Sequence, residues 1–366
     1  MNSRIEQLQE WMREEAVDAA FIHSPENVYY LTNFLTDPHE RVMGLFIFQE
    51  KEPFFICPGM ETGQAKEAGF HNEIIGYGDH EQPFEKIREA FASRGMQKIS
   101  KAAIESELLS YSRVQEFLSI TGSSQLVSAE DKLNELRVIK DAEEIAIMER
   151  AAALADYGVE AGTAALKEGV TEMDVLAKIE YELKKKGAQA MSFSTMVLFG
   201  KKSGQPHGNP GTAVLKKGDF VLFDLGVVVD GYCSDITRTV MFGQPDEKQQ
   251  HIYQTVLKAE LAALEAAKPG TRIGDLDKIA RSIIEEAGYG EFFPHRLGHG
   301  LGINVHEFPS VAFTNDGLLK AGMTFTIEPG IYVPEVGGVR IEDDVLITAD
   351  GARALTAYPK ELQIIE

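Results

Sequence analysis

Three aspartates stand in a stretch that otherwise reads as β-structure, VLFDLGVVVDGYCSDITRT at 221–239. Aspartate is depleted in strands, so each one needs a reason. Asp230-Gly231 explains itself, because an Asp-Gly pair between apolar runs is the signature of a type I′ hairpin turn. With those two residues as the loop, facing residues have numbers that add to 461. Asp224 then faces Thr237, and Asp235 faces Gly226. Facing residues share one side of a sheet, as do residues two apart on one strand. Asp224 and Asp235 come out as diagonal neighbours on one face, with β-carbons roughly 7–8 Å apart. Two carboxylates so placed repel unless they are solvated, protonated or joined to a cation.

The pattern recurs further along the chain. KEGVTEMDVLAKIEYELKKKGA aligns with KPGTRIGDLDKIARSIIEEAGY, so that Gly169, Asp174 and Gly187 match Gly270, Asp275 and Gly288 at a spacing of 101. GDFVLFDLG aligns with GMTFTIEPG, so that Gly218, Asp224 and Gly226 match Gly322, Glu328 and Gly330 at a spacing of 104. Self-similarity of this kind marks an internal structural repeat. GMTFTIEPGIYV continues into PEVGG and VRIEDDVLI. A five-residue PEVGG loop sets Val333 opposite Val339, Glu328 opposite Asp344 and Glu342 opposite Gly330. Glu328 and Glu342 then repeat the diagonal relation of Asp224 and Asp235. Solvated faces would not be expected to reproduce it, although a one-residue slip would turn Glu342 to the other face.

Four convergent carboxylates call for about four positive charges, which two divalent cations supply. Oxygen-rich sites suit Mn or Mg, and an imidazole adds affinity for Zn, Co or Fe. Among nine histidines, the segment HRLGHGLGINVHE (295–307) holds His295, His299 and His306 between glycines. Those glycines permit close backbone approach. The spacing is not helical, so this is not the HExxH zinc helix. His23, His71, His80 and His251 read as structural or surface residues. By hairpin parity Cys233 lies on the carboxylate face, as a small packing residue or as an oxidation-sensitive thiol.

These side chains need a scaffold, and 366 residues with 44% hydrophobic and 25% charged composition suffice for two globular domains. Residues 1–130 read as an α/β domain of alternating helix and strand. AAFIHSPENVYYLTNF carries a strand, a turn at Ser24-Pro25 and a second apolar stretch, and GLFIFQEKEPFFICP reads as a hairpin. A polar helix beginning near Asp131 opens the second domain, 131–366, which contains the repeat. The formal charge of −21 excludes a basic nucleic-acid footprint. The N-terminus lacks the basic end and apolar core of a signal peptide, and no apolar run reaches a membrane span. Two cysteines give no disulfide framework, so the cytoplasm is the expected location.

DLG…SDITRT, HRLGHGLGINVHE, TIEPGIYVP and GGVRIEDD closely resemble the pita-bread metallopeptidases, which include methionine aminopeptidase, aminopeptidase P and Xaa-Pro dipeptidase (prolidase). The resemblance covers essentially the whole chain, because the region around NVYYLTNF resembles the creatinase/prolidase N-terminal domain. It implies an α+β fold: a C-terminal pita-bread (creatinase/aminopeptidase) domain with a pseudo-twofold internal repeat, plus an N-terminal α/β creatinase/prolidase-type domain. It implies two divalent metal ions, with Mn ahead of Co or Zn, on Asp224, Asp235, His299, Glu328 and Glu342. Asp235 and Glu342 resemble carboxylates that bridge both ions. Asp224 resembles a ligand of one ion, and His299 and Glu328 resemble ligands of the other. Glu328 also resembles a catalytic proton carrier. His207 and His306 match substrate-side catalytic histidines, and His295 resembles a further active-site histidine. Arg340, on the same face as Glu342 by strand parity, would orient a ligand carboxylate.

The expected activity is Xaa-Pro dipeptide hydrolysis, with aminopeptidase P as the alternative and a non-catalytic peptide binder as a minor one. Several prolidases resemble this chain through HE-x-P but follow it with arginine, where this chain has Ser310 in HEFPS. The N-terminal loop TDPHERV offers His39 and Arg41 as compensating groups across a homodimer. Proline-containing peptides are the expected partners, with no nucleic acid and no membrane.

Overall fold

The computed structural model describes residues 3–366; Met1 and Asn2, the start of the expected first domain, lie outside the described residues. The chain divides into two units, Met1–Arg137 and Val138–Glu366. This division falls seven residues after the one expected at residue 130. The polar run read as one helix is two, Glu130–Val138 and Ala142–Ala164. Asp141 caps the second by accepting from Glu143 N and Glu144 N, while Glu144 Oε2 accepts from Asp141 N. This capping box starts a new helix inside a sequence whose composition does not change. The first of the two belongs to the N-terminal unit, where Tyr30 OH donates to Leu136 O at 2.9 Å and Arg137 Nη1 donates to Asn27 Oδ1 at 2.8 Å.

The N-terminal unit is a six-stranded mixed sheet. Its order is Glu73–Tyr77, Phe54–Pro58, Gly44–Phe48, Ala19–Ile22, Lys101–Ile104, Gln125–Ser128. The Gly44–Phe48 and Phe54–Pro58 strands form the expected hairpin. Its core is aromatic: Phe46 stacks on Phe21 at 4.5 Å and on Phe54 at 4.7 Å. The second apolar stretch after Ser24-Pro25 is a helix, Pro25–Thr32, capped by Ser24. Fully buried Glu105 fixes that helix start, accepting from His23 and Ser24 backbone N–H, Ser24 Oγ and Asn27 Nδ2. Burial alone would raise the Glu105 pKa; hydrogen bonds from His23, Asn27 and Ser24 hold it down at about 2.

The second unit is built twice over. Helices Ala142–Ala164 and Glu172–Lys185 cover strands Asp219–Leu225 and Ile236–Phe242 around one apolar core. Helices Glu247–Ala266 and Ile273–Glu286 cover strands Thr324–Ile327 and Asp343–Ile347 around another. The repeat seen in the sequence extends to single contacts. The isolated bridges Thr171–Val214 and Arg272–Leu318 correspond at the same two spacings, 101 and 104. So do the backbone bonds from Gly169 N to Leu215 O and from Gly270 N to Leu319 O. Among the described residues, no helix is long and apolar enough to cross a membrane.

Candidate metal centre

The first hairpin turns where expected. Asp230 and Gly231 have φ of 44° and 77°, the positive values that a type I′ turn requires, and Val229 pairs with Tyr232. The same register continues to Thr237 facing Asp224. The second hairpin differs from expectation. Val333 pairs with Gly337, and Ile331 with Val339, so the loop is Pro334–Val336 rather than five residues. Ile327 pairs with Asp343 in the same register, which brings Glu328 opposite Glu342 rather than opposite Asp344. The partner of every residue thus moves by two. Because side chains alternate with period two, the carboxylates keep their face and only the diagonal relation is lost.

The two hairpins meet through Thr237. Its hydroxyl donates to Glu342 Oε2 at 2.6 Å and accepts from Arg340 Nε at 3.0 Å, while its carbonyl accepts from Glu342 N at 3.0 Å. Arg340 also donates to Tyr332 OH at 2.8 Å and, through Nη2, to Asp224 Oδ2. Asp235 N donates to Asp344 Oδ2 of the other half at 3.1 Å. His299 comes from the strand Gly298–Gly300, which lies against Thr324–Ile327 because position 298 has no side chain: a β-carbon there would sit 1.9 Å from Thr326 O. Thr326 Oγ1 accepts from His299 N and donates to Glu328 Oε1, each at 3.2 Å.

The donor set fits cations. His299 Nδ1 lies 3.1 Å from Gly300 O, which assigns the ring proton to Nδ1 and leaves a lone pair on Nε2. That nitrogen is 3.3 Å from Glu328 Oε1 and 3.7 Å from Asp235 Oδ2. Lone pair and carboxylate oxygens repel at such distances unless a positive charge joins them. Ligand atoms of Asp235, His299 and Glu342 all lie within 4.8 Å of one another. One oxygen each of Asp224, Asp235 and Glu342 is buried with no hydrogen-bond partner. Buried polar atoms are rarely left so, and an absent ion is one standard explanation.

Titration behaviour agrees. Burial, then repulsion from Glu342 and Asp224, raises Asp235 well above the carboxylate range. Burial, then Glu328 and Asp224, does the same to Glu342. Glu328 is pushed up to about 7, by burial first. Burial, with His306 beside it, lowers His299 to about 3, which keeps the imidazole neutral and able to ligate.

These groups line one cavity of about 390 Å³ with His207, His295, Arg296, His306 and the apolar side chains of Phe193 and Met196. His306 stands edge-on to His299, ring centroids 4.2 Å apart. His295 Nε2 accepts from Tyr332 OH at 2.8 Å, and its Nδ1 donates to Arg296 O at 2.8 Å. Burial lowers His295 to about 4, so it is neutral. His207 is carried by the segment between Phe199 and Gly211, whose two ends both donate to the buried Glu172 carboxylate, at 3.0 and 2.8 Å. Cys233 is buried, its Sγ 3.3 Å from Ile303 O. His39 and Arg41 are engaged within the N-terminal unit: His39 lies 3.3 Å from Asp37, and Arg41 pairs with Asp79 at 2.8 Å. The cavity lining contains neither.

Tyr332, Thr237 and Arg296 were not singled out by sequence. Strand alternation from Glu328 reaches Tyr332, and the first hairpin's register names Thr237 as the residue facing Asp224. Arg296 carried no signal beyond its place beside His295.

A family model described as metallopeptidase family M24 matches residues 146–349, and one described as the creatinase/prolidase N-terminal domain matches residues 4–139. A Bacillus subtilis protein named provisionally as a dipeptidase, YkvY, is 65% identical over 99% of this chain and 100% of its own. The prolidase from Pyrococcus horikoshii is 38% identical with a TM-score of 0.91, covering 99% of this chain and 100% of its own. The X-Pro aminopeptidase from Thermotoga maritima is 31% identical with a TM-score of 0.88, covering 97% and 100%.

Proposed function

The chain belongs to metallopeptidase family M24, in the two-domain creatinase-like architecture, and on that premise we propose that it hydrolyses the Xaa-Pro bond of dipeptides and short peptides. The observation that carries this reading is the convergence of Asp224, Asp235, His299, Glu328 and Glu342 on one cavity, with buried carboxylate oxygens that lack partners. Those five residues would hold two divalent ions, with manganese the first choice for a set of mainly carboxylate ligands. Bound there, such ions supply a water acidified to near-neutral pKa and a Lewis acid for the peptide carbonyl.

The chain's own groups do the rest. Glu328 accepts a proton from the attacking water and passes it to the leaving imino nitrogen. His207 and His306 donate hydrogen bonds to the peptide and to the oxygen on which charge develops. Arg340 holds Asp224, and through Thr237 and Tyr332 it ties the ligand set to His295. A proline after the scissile bond makes it a tertiary amide with no N–H, so no donor on that nitrogen has to be matched.

Aminopeptidase P activity is the second reading, favoured by Ser310 where several prolidases carry arginine. Glycyl-proline set against a longer glycyl-prolyl peptide separates the two, since efficient cleavage of the longer one excludes a strict dipeptidase. Exhaustive chelation followed by manganese return tests the metal. Retained activity after chelation would end the reading. A homodimer in which His39 and Arg41 border the partner's site, and a cytoplasmic location, complete the proposal.

A further inference from the structure

We propose that Lys140 is a positioning residue for His306, acting through Glu307; this rests on the peptidase reading above, in which His306 meets the substrate. His306 lines the cavity, yet among the described residues its ring makes no hydrogen bond, and its ring contact is the edge-on one with His299. Where the ring points is therefore set by the backbone that carries it. That backbone is the loop 301–306, between the strands Gly298–Gly300 and Glu307–Val311. The first half of the loop is anchored by its neighbours. Leu301 N donates to Thr324 O at 3.2 Å, Leu301 O accepts from Thr324 Oγ1 at 2.7 Å, and Gly302 O accepts from Cys233 N at 2.7 Å. The second half folds around one carboxylate. Glu307 Oε1 accepts from Asn304 N at 2.9 Å, and a β-carbon at Gly302 would sit 2.6 Å from Glu307 Oε2.

Glu307 is held in turn from outside the loop. Lys140 Nζ donates to Glu307 Oε2 at 3.2 Å, with the two side chains only 1% and 6% exposed. Lys140 is itself fixed at the backbone, because Lys140 N donates to Gly322 O at 2.8 Å and Ile139 bridges to Met323. Glycine at 322 permits this approach: its φ is 89°, and a β-carbon there would lie 2.8 Å from Ile139 Cγ2 and 3.2 Å from Lys140 O. Thr324, two residues on, holds Leu301, so the lysine and the start of the loop are fixed to one short stretch of chain. An ion pair this deep is a poor source of stability, since the cost of desolvating both charges offsets their attraction and an apolar pair of similar volume does as well. What it does fix is geometry. The carboxylate must stay within reach of one ammonium and one backbone N–H, and the loop is wrapped on that carboxylate. His306 is the residue next to Glu307 in the chain, so its placement follows.

The test uses the full-length, manganese-loaded protein and one Xaa-Pro dipeptide, in a cycle of Lys140→Met, His306→Ala and the double variant. Lys140→Met should lower kcat/KM by about 10- to 100-fold, since misplacing a catalytic group by about 1 Å costs up to about that much. In the His306→Ala background the same substitution should change kcat/KM by less than about 2-fold, because no ring is left to misplace. Lys140→Arg should keep part of the activity. If Lys140→Met does not fold, Lys140→Met with Glu307→Gln takes its place in the cycle, because glutamine removes the stranded charge and still offers Asn304 N an oxygen. Manganese binding by calorimetry should be unchanged, since His306 is outside the ligand set. The histidine ring resonances of the metal-free protein read the same coupling without turnover, the His306 signal being identified by its loss in His306→Ala. Lys140→Met should shift or broaden that signal and leave those of His23 and His251 in place. Equal losses in the two backgrounds, an unchanged kcat/KM, an unmoved His306 signal, or manganese affinity falling in step with kcat/KM overturns the proposal. If the wild type cleaves no Xaa-Pro peptide, the peptidase reading fails, and the ring signal still decides whether Lys140 places His306.

Discussion

Replacing Glu328 by glutamine in the metal-free protein should raise its stability at alkaline pH. Glu328 has its pKa pushed from 4.5 to about 7, by burial first and by Asp224 beside it. A carboxyl whose folded pKa lies above its unfolded value binds protons more tightly when folded. Its contribution is fully present below pH 4.5 and is lost as pH rises through 7. At about 1.36 kcal/mol per pH unit, the difference between the two limits is about 3 kcal/mol. His299 and His295, lowered to about 3 and 4, give the opposite slope at acid pH, but they are present in both proteins and cancel in the comparison. Urea unfolding in excess chelator at pH 4.5 and pH 8 is the assay. Glu328→Gln should match the wild type at pH 4.5 and exceed it by about 3 kcal/mol at pH 8. With manganese the order should reverse, because a neutral amide is a poor ligand, and turnover should be lost. If the chelated variant is no more stable than the wild type at pH 8, the four carboxylates do not crowd one another as described.

Arg340→Met should lower metal affinity or activity about 10- to 100-fold, the usual effect of losing a group that orients a ligand, and metal titration calorimetry reads it directly. Glu172→Ala should cost about 3 kcal/mol in urea unfolding, since two backbone N–H groups and Lys202 Nζ lose their acceptor. It should also raise KM, because the freed segment carries His207. Glu105→Ala should cost about 3 kcal/mol at pH 7, measured the same way. The Glu105 pKa near 2 against 4.5 makes its contribution full above pH 4.5 and lost as pH falls towards 2, so wild type and variant should converge in acid.

How much of the site could be read in advance depended on turn chemistry. Asp230-Gly231 admits one tight turn, so the first hairpin's register followed from two residues. PEVGG does not name its own loop length, and the expected pairing was wrong by two residues. The face of Glu342 survived because the error was even. The break between the two helices was unread for a related reason: the helix start at Asp141 is a local cap, invisible to composition. The convergence of the hairpins depends on contacts more than a hundred residues apart in sequence, such as Thr237 with Glu342. Those contacts were reachable only through the repeat and the family resemblance.

Each repeat brings its own pair of acidic residues, and the shared hydroxyl of Thr237 sits where the pairs join. Neither repeat by itself carries more than two of the four clustered carboxylates. Because both copies lie in one chain, the meeting of their carboxylate pairs does not depend on protein concentration. The two copies differ in reach, one presenting short aspartates and the other longer glutamates to a common centre.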